Sequence, residues 1–259
     1  MPDYIDSLNR RVHLDKTPER IISLVPSITE LLFDLGLENH IAGITRFCIH
    51  PEKSVQKVPK IGGTENIDFD LIREIKPDLI FCSKEENKEI EVNLLMKNYS
   101  VFVSDVRSFN DAINLIYETG LMTGKEIEAQ KIINKINNAF ATISEIKEPI
   151  PVVYLIWKNP YMTINCDTFI NDILSIAGFN NVFKNSSERY PIISIEEITD
   201  KNPQLVFLSS EPYPFKEKDK MELMMSLQYS EIIHVNGEMF SWYGSHMINA
   251  PEYFKKLFA

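Results

Sequence analysis

No stretch of about 18 consecutive apolar residues occurs in the 259-residue chain, so the sequence encodes no membrane-spanning helix. The opening, MPDYIDSLNRRVHLDKTPE, lacks the apolar centre of a secretory signal. Cysteine is scarce. Cys48, Cys82 and Cys166 are odd in number and follow no motif spacing, which excludes a disulfide framework and a zinc knuckle. Each is expected as a small buried apolar group. Positive charge is outweighed: 27 Lys and Arg stand against 37 Asp and Glu, a net charge of −10, which argues against a nucleic-acid partner or an anionic membrane surface.

The motifs of common enzyme chemistries are also missing. There is no glycine fingerprint for a dinucleotide, no GxSxG elbow, no HExxH and no histidine pair four residues apart. Cys166, beside Asp167, has no histidine base near it in sequence. Cys48 and His50 read as loop neighbours rather than metal ligands, and the pairs Glu85–Glu86 and Glu196–Glu197 as solvated helix ends. No catalytic residue, no metal site and no intrinsic cofactor is expected.

What is present is a soluble-type composition, 44% apolar and 25% charged, and enough chain for two domains. From Thr123 to Glu148 runs a stretch with no proline and no glycine after Gly124. Ile132, Ile136, Phe140 and Ile143 recur on one helical face, Thr123 with Glu126 suggests a capping box, and Pro149 ends the pattern. Such a helix spans about 35 Å and reads as a strut between two lobes, because the sequences on its two sides resemble each other. With Pro77 aligned on Pro203, Asp70 falls on Glu196, Leu79 on Leu205, Phe81 on Phe207 and Ser83 on Ser209. Upstream, LLFDLGLEN and ILSIAGFNN align Gly36 with Gly178 and Asn39 with Asn181. The fold expected is two similar α/β lobes, 1–123 and 149–259, joined by one long helix at 124–148.

RIISLVPSITELLFDLGL reads as a buried strand, a tight turn and a helix capped by Ser27 and Glu30, the opening of a doubly wound α/β unit. In such units ligands gather outside the carboxyl ends of the strands. Phe47, Trp157, Tyr161, Tyr190, Tyr213, Phe215, Trp242 and Tyr243 all follow or flank predicted strand ends. Together with His50 and Thr64 of the long loop after IAGIT, these rings are the candidate lining of a cleft expected between the two lobes, suited to a large, flat, partly apolar ligand.

RIISLVPSITELLFDLGL, IAGIT, VPKIGGTENIDFDLIREIKPDLIF and the mid-chain helix together resemble the substrate-binding proteins of cobalamin, haem and iron-siderophore ABC transporters, most of all the cobalamin branch. The resemblance covers about Arg20 to Met247 and implies the class III periplasmic-binding-protein fold. It also implies a protein that holds cobalamin or a related corrinoid and delivers it to a dimeric ABC permease; the chain itself is expected to be a monomer. It implies an aromatic ligand contact at Phe47. Tyr190 and Thr64 stand where cobalamin binders carry tryptophans. Asp70 and Glu196 stand where a pair of acids docks on permease arginines. A haem, siderophore or metal-ion receptor is the alternative, and a chelatase-like enzyme or an intracellular corrinoid carrier the alternative of another class. The resemblance places the protein in the periplasm or cell envelope, whereas the signal-less opening leaves the cytoplasm as the other expectation.

Overall fold

The computed structural model describes residues 3–144 and 148–257. The chain forms two compact units. The first holds the residues up to Val106, Asn110–Ile136 and Tyr243–His246; the second holds Arg107–Phe109, Asn137–Trp242 and the residues from Met247 on.

The first unit opens with a hairpin of β1 (Tyr4–Ile5) and β2 (Arg11–Val12). Then come β3 (Ile21–Ser23), α1 (Pro26–Asp34), β4 (Ile41–Ile44), α2 (Glu52–Val55), α3 (Phe69–Ile75), β5 (Leu79–Ser83), α4 (Glu89–Leu95), β6 (Val101–Ser104), all but the first residue of α5 (Phe109–Thr123), and α6 (Glu126–Phe140) as far as Ile136. The sheet is parallel, ordered β4-β3-β5-β6. Its strands are near-continuous apolar runs because both faces are covered. On one face Ile22, Ile80, Cys82, Val101 and Val103 pack with Ile72 of α3 and Val92 and Leu95 of α4. Alternate residues point the other way, and there Phe81 meets Phe102 edge to face with centroids 5.9 Å apart.

The second unit contains β7 (Ile150–Leu155), β8 (Tyr161–Met162), α7 (Phe169–Ile176), β9 (Phe179–Asn181), β10 (Ile192–Ile193), α8 (Ile195–Lys201), β11 (Leu205–Ser209), α9 (Glu217–Ser226), β12 (Glu231–Val235) and α10 (Glu238–Ser241). A 3-10 turn, Ser245–Asn249, and α11 (Ala250–Leu257) close the described chain. The main sheet is again parallel, ordered β9-β7-β11-β12. Counting each sheet's strands along the chain, both orders are second, first, third, fourth.

The duplication extends to atoms. Asp68 and Ser194 are matched N-caps of α3 and α8, and Lys76 and Asn202 are matched left-handed C-caps at φ 51° and 45°. Gly36 and Gly178 also share positive φ, 75° and 87°. Ser83 Oγ accepts the amide of Glu85 at 3.2 Å, as Ser209 Oγ accepts that of Glu211 at 3.3 Å. Phe207, aligned with Phe81, sits between Tyr154, Phe179 and Phe240 in the core of the second unit.

Several local expectations are corrected. The helix expected from Thr123 to Glu148 is α6 alone, 15 residues from Glu126 to Phe140, about 22 Å long. Thr123 does not cap it. That residue ends α5, its hydroxyl donating to the Thr119 carbonyl at 2.6 Å, and Gly124 at φ +67° separates the two helices. Past Phe140 the Thr142 hydroxyl takes the Ala139 carbonyl at 2.6 Å, a local bond that competes with helix continuation. Residues 145–147 of the expected helix lie outside the described residues. Ile132, Ile136 and Phe140 are buried as their spacing requires, and the division between the units falls within α6, after Ile136.

Ser27 is not a cap either. Pro26 opens α1 and Val25 is its N-cap, with no side-chain acceptor; proline is favoured at that first position because its missing N–H would have no helical partner. The loop after β4 contains α2. Cys48 and Cys82 are buried, but Cys166 is exposed, in the loop after β8. Glu85 and Glu86 lie in the turn between β5 and α4 rather than at a helix end. Glu196 and Glu197 do open α8, where Glu197 and Ser194 form a reciprocal capping box.

Candidate functional site

Three of the flagged aromatics lie shortly past the ends of parallel strands: Phe47 after β4, Trp157 after β7 and Tyr213 after β11. In the second unit, β7 runs directly into Trp157, which is 41% exposed. Its backbone pairs with Met162 across the β7–β8 turn. Its ring meets that of Tyr213, from the loop after β11, edge to face at 5.6 Å, and Tyr213 meets the buried Phe215 at 4.8 Å. Tyr161 and Tyr213 both rest on the apolar core of this unit. Burial pushes the Tyr161 phenol up.

The loop carrying Trp157 is fastened by an ion network. Lys158 Nζ donates to Asp219 at 2.8 Å and to Glu222, both on α9, and the Lys158 and Asp219 side chains are 10% and 1% exposed. Although burial acts against it, these hydrogen bonds hold the Lys158 ammonium above its ordinary range. Asp219 also accepts the Lys216 amide, so one buried carboxylate caps α9 and anchors the aromatic loop.

Trp242 follows α10. It is 8% exposed, and its Nε1 donates to Glu211 Oε1 at 3.0 Å, while the Ser241 hydroxyl donates to the same oxygen at 2.6 Å. Tyr190 is exposed, with the Arg189 guanidinium 5.8 Å from its ring centroid. Arg107 donates twice to Asp167, at 2.9 and 3.2 Å, and Arg189 lies 3.9 Å from the same carboxylate.

In the first unit, β4 runs into Thr45, Arg46 and Phe47. Phe47 is 50% exposed, and the Arg46 guanidinium carbon lies over it, 5.1 Å from the ring centroid. Cys48 is turned inward, hydrogen-bonded to the hydroxyls of Thr29 at 3.1 Å and Thr45 at 3.3 Å; burial pushes its thiol up. His50 is half-buried, its ring 5.7 Å from that of His246. His246 Nδ1 lies 2.9 Å from Glu30 Oε2. Thr64 is half-buried and its carbonyl accepts from Asn87 at 2.8 Å. Tyr243 is 5% exposed, donates to Glu86 at 3.4 Å, and its phenol is pushed up by burial and by Glu86.

Of the residues singled out from sequence, the structure therefore brings Trp157, Tyr161 and Tyr213 into one cluster within the second unit. Phe47, Trp157 and Tyr190 present open rings, whereas Trp242 and Tyr243 are buried and held by carboxylates. Asp70 and Glu196 are exposed in the first turns of α3 and α8. Asp70 pairs with Arg73, and the α8 amide of Glu196 together with Ser194 holds the Glu196 carboxyl below its ordinary value. Sequence reasoning missed Arg46, Lys158, Asp219 and Glu211. Arg46 and Lys158 are chain neighbours of flagged aromatics, and that adjacency was the available signal. Among the described residues no group of three His, Cys, Asp or Glu converges as a metal site, and no helix is long and apolar enough to cross a membrane.

A family model described as periplasmic binding protein matches residues 21–232. The vitamin B12-binding protein of Vibrio cholerae serotype O1 is 24% identical over 195 residues, 74% of this chain and 70% of that protein. An uncharacterized ABC transporter substrate-binding lipoprotein of Bacillus subtilis is 23% identical over 260 residues, 95% of this chain and 82% of that one. Among solved structures, the periplasmic vitamin B12 binding protein of Vibrio cholerae superposes with a TM-score of 0.75 at 21% identity, covering 93% of this chain and 98% of that chain. A periplasmic heme-binding protein from Roseiflexus sp. RS-1 superposes at 0.76 with 15% identity, covering 92% and 98%. These likenesses agree with the fold of two α/β units, each built on a parallel sheet.

Proposed function

The chain belongs to the periplasmic binding protein family, and on that premise we propose that it captures cobalamin or a related corrinoid for uptake by an ABC permease. The observation that carries the reading is the aromatic cluster at the carboxyl end of the second unit's sheet, where an exposed Trp157 is braced by Tyr213 and anchored through Lys158. Rings held this way offer a large contact area at little entropic cost, which suits a flat macrocycle with an apolar face. Relatives named for vitamin B12 and for heme support a tetrapyrrole-sized ligand. A haem or ferric-siderophore receptor is the competing reading within the same function. The family match and the relatives named for ligand binding support a binder rather than an enzyme.

A screen by tryptophan fluorescence over cyanocobalamin, haemin and ferric siderophores tests this. Cyanocobalamin is expected to quench saturably. Trp157→Ala should weaken binding at least tenfold, equivalent to about 1.4 kcal/mol, with little change in melting, since the ring is exposed. Saturable quenching by haemin or a siderophore alone would replace the corrinoid assignment, and enzymatic turnover of a corrinoid would replace the class.

A further inference from the structure

The chain has seven arginines. Six of them are ion-paired: Arg10 with Asp6, Arg11 with Asp3, Arg20 with Asp78, Arg73 with Asp70, and Arg107 and Arg189 with Asp167. Among the described residues Arg46 is in no ion pair, although the chain carries an excess of ten negative charges. Instead its guanidinium lies over Phe47, 5.1 Å from the ring centroid, and both side chains are exposed.

The position is built. The Arg46 amide donates to the Gly62 carbonyl at 2.8 Å, and Gly62 is bridged to Ile67 across a tight turn. Gly63 lies against the pair: a Cβ there would come within 3.3 Å of both an Arg46 terminal nitrogen and the Phe47 ring. This platform stands just past the end of β4, where ligands of open α/β sheets gather. The exposed guanidinium, its charge taken up by no carboxylate among the described residues, has the planar fork of N–H donors that receives a carboxylate or phosphate in bidentate fashion.

We infer that Arg46 and Phe47 form an oxyanion-recognising subsite, so that the ligand carries an acidic substituent beside its flat apolar face. The inference rests on the corrinoid reading and sharpens it: Phe47 takes the edge of the macrocycle and Arg46 pairs with a peripheral carboxylate or phosphodiester. Loss of the guanidinium leaves that anion unpaired, so the cost falls on acid-bearing ligands only.

Three corrinoid probes separate the sources of the charge. Cyanocobalamin carries a phosphodiester, dicyanocobyrinic acid carries carboxylates, and dicyanocobinamide carries neither. The protein is expected to bind at least one of the first two tenfold or more tightly than cobinamide, with affinity falling as salt is raised. Arg46→Gln should abolish that preference while leaving cobinamide affinity and the melting temperature unchanged. Arg46→Lys should restore it in part, as a point charge without the planar fork. The acidic probe that gains identifies phosphodiester or carboxylate as the natural partner. A wild-type preference that survives in Arg46→Gln, or equal affinity for all three probes, overturns the subsite while leaving corrinoid capture intact. Binding of none of the three overturns both.

Discussion

Trp242→Ala is expected to lower the stability of the second unit by about 3–5 kcal/mol, the range for truncating a large buried ring, and to lower the melting temperature by about 10 °C. Trp242 is 8% exposed, and its Nε1 hydrogen-bonds to a Glu211 carboxylate that also holds Ser241. Removing the indole opens a cavity and takes one donor from a half-buried carboxylate. Trp242→Phe keeps most of the apolar contact and removes the donor, so it should cost about 1–2 kcal/mol. Circular-dichroism melts of the three proteins measure the series. A Trp242→Ala protein that melts with the wild type would mean that the ring serves ligand contact alone.

The second large effect is expected at Asp70 and Glu196, the proposed docking acids. Asp70 and Glu196 occupy matched positions in duplicated helices, each two residues after a matched N-cap. A carboxylate in the first turn is favoured by the helix dipole, by about 0.3–1 kcal/mol, and that alone accounts for an acid at either site. The proposed docking on a dimeric permease gives the pair a further role, one acid per unit. Asp70→Lys combined with Glu196→Lys should abolish docking to permease-containing vesicles and leave corrinoid affinity unchanged. Docking by the wild type should weaken with added salt, because complementary charges act mainly on encounter and register. The double variant with Asn and Gln at these positions separates lost attraction from introduced repulsion. Docking that persists in the Lys pair would remove both residues from the interface.

Much of the architecture was legible because it is written twice. The alignment of Pro77 with Pro203 carries with it the caps of α3 and α8, the strands β5 and β11, and the Ser83 and Ser209 turns, all of which the structure reproduces. Helix ends were less legible. An amphipathic pattern continues smoothly through Gly124 and past Phe140, whereas the helix stops where a left-handed residue or a side-chain hydroxyl captures the backbone. Two-residue strands such as β1, β2, β8 and β10 are too short to show periodicity.

The candidate site was read as a set of aromatics flanking strand ends; Phe47, Trp157 and Tyr213 do follow β4, β7 and β11, whereas Trp242 and Tyr243 follow the helix α10. Composition could not distinguish an open ring such as Phe47 from a buried one such as Tyr243, because burial depends on which carboxylate or strand the fold sets opposite. The polar residues that fix the rings were invisible for the same reason: Lys158 meets Asp219 only through a sequence separation of 61 residues, and Trp242 meets Glu211 through 31.

Isothermal titration of the purified protein with cyanocobalamin tests the central claim most directly. Corrinoid capture predicts a saturable isotherm with one ligand per chain and a dissociation constant of about 1 μM or tighter, corresponding to some 8 kcal/mol. It also predicts a negative heat-capacity change from burial of the apolar macrocycle face. A flat titration with cyanocobalamin and with its cobinamide and cobyrinic acid relatives, from a protein that circular dichroism shows to be folded, would contradict the account.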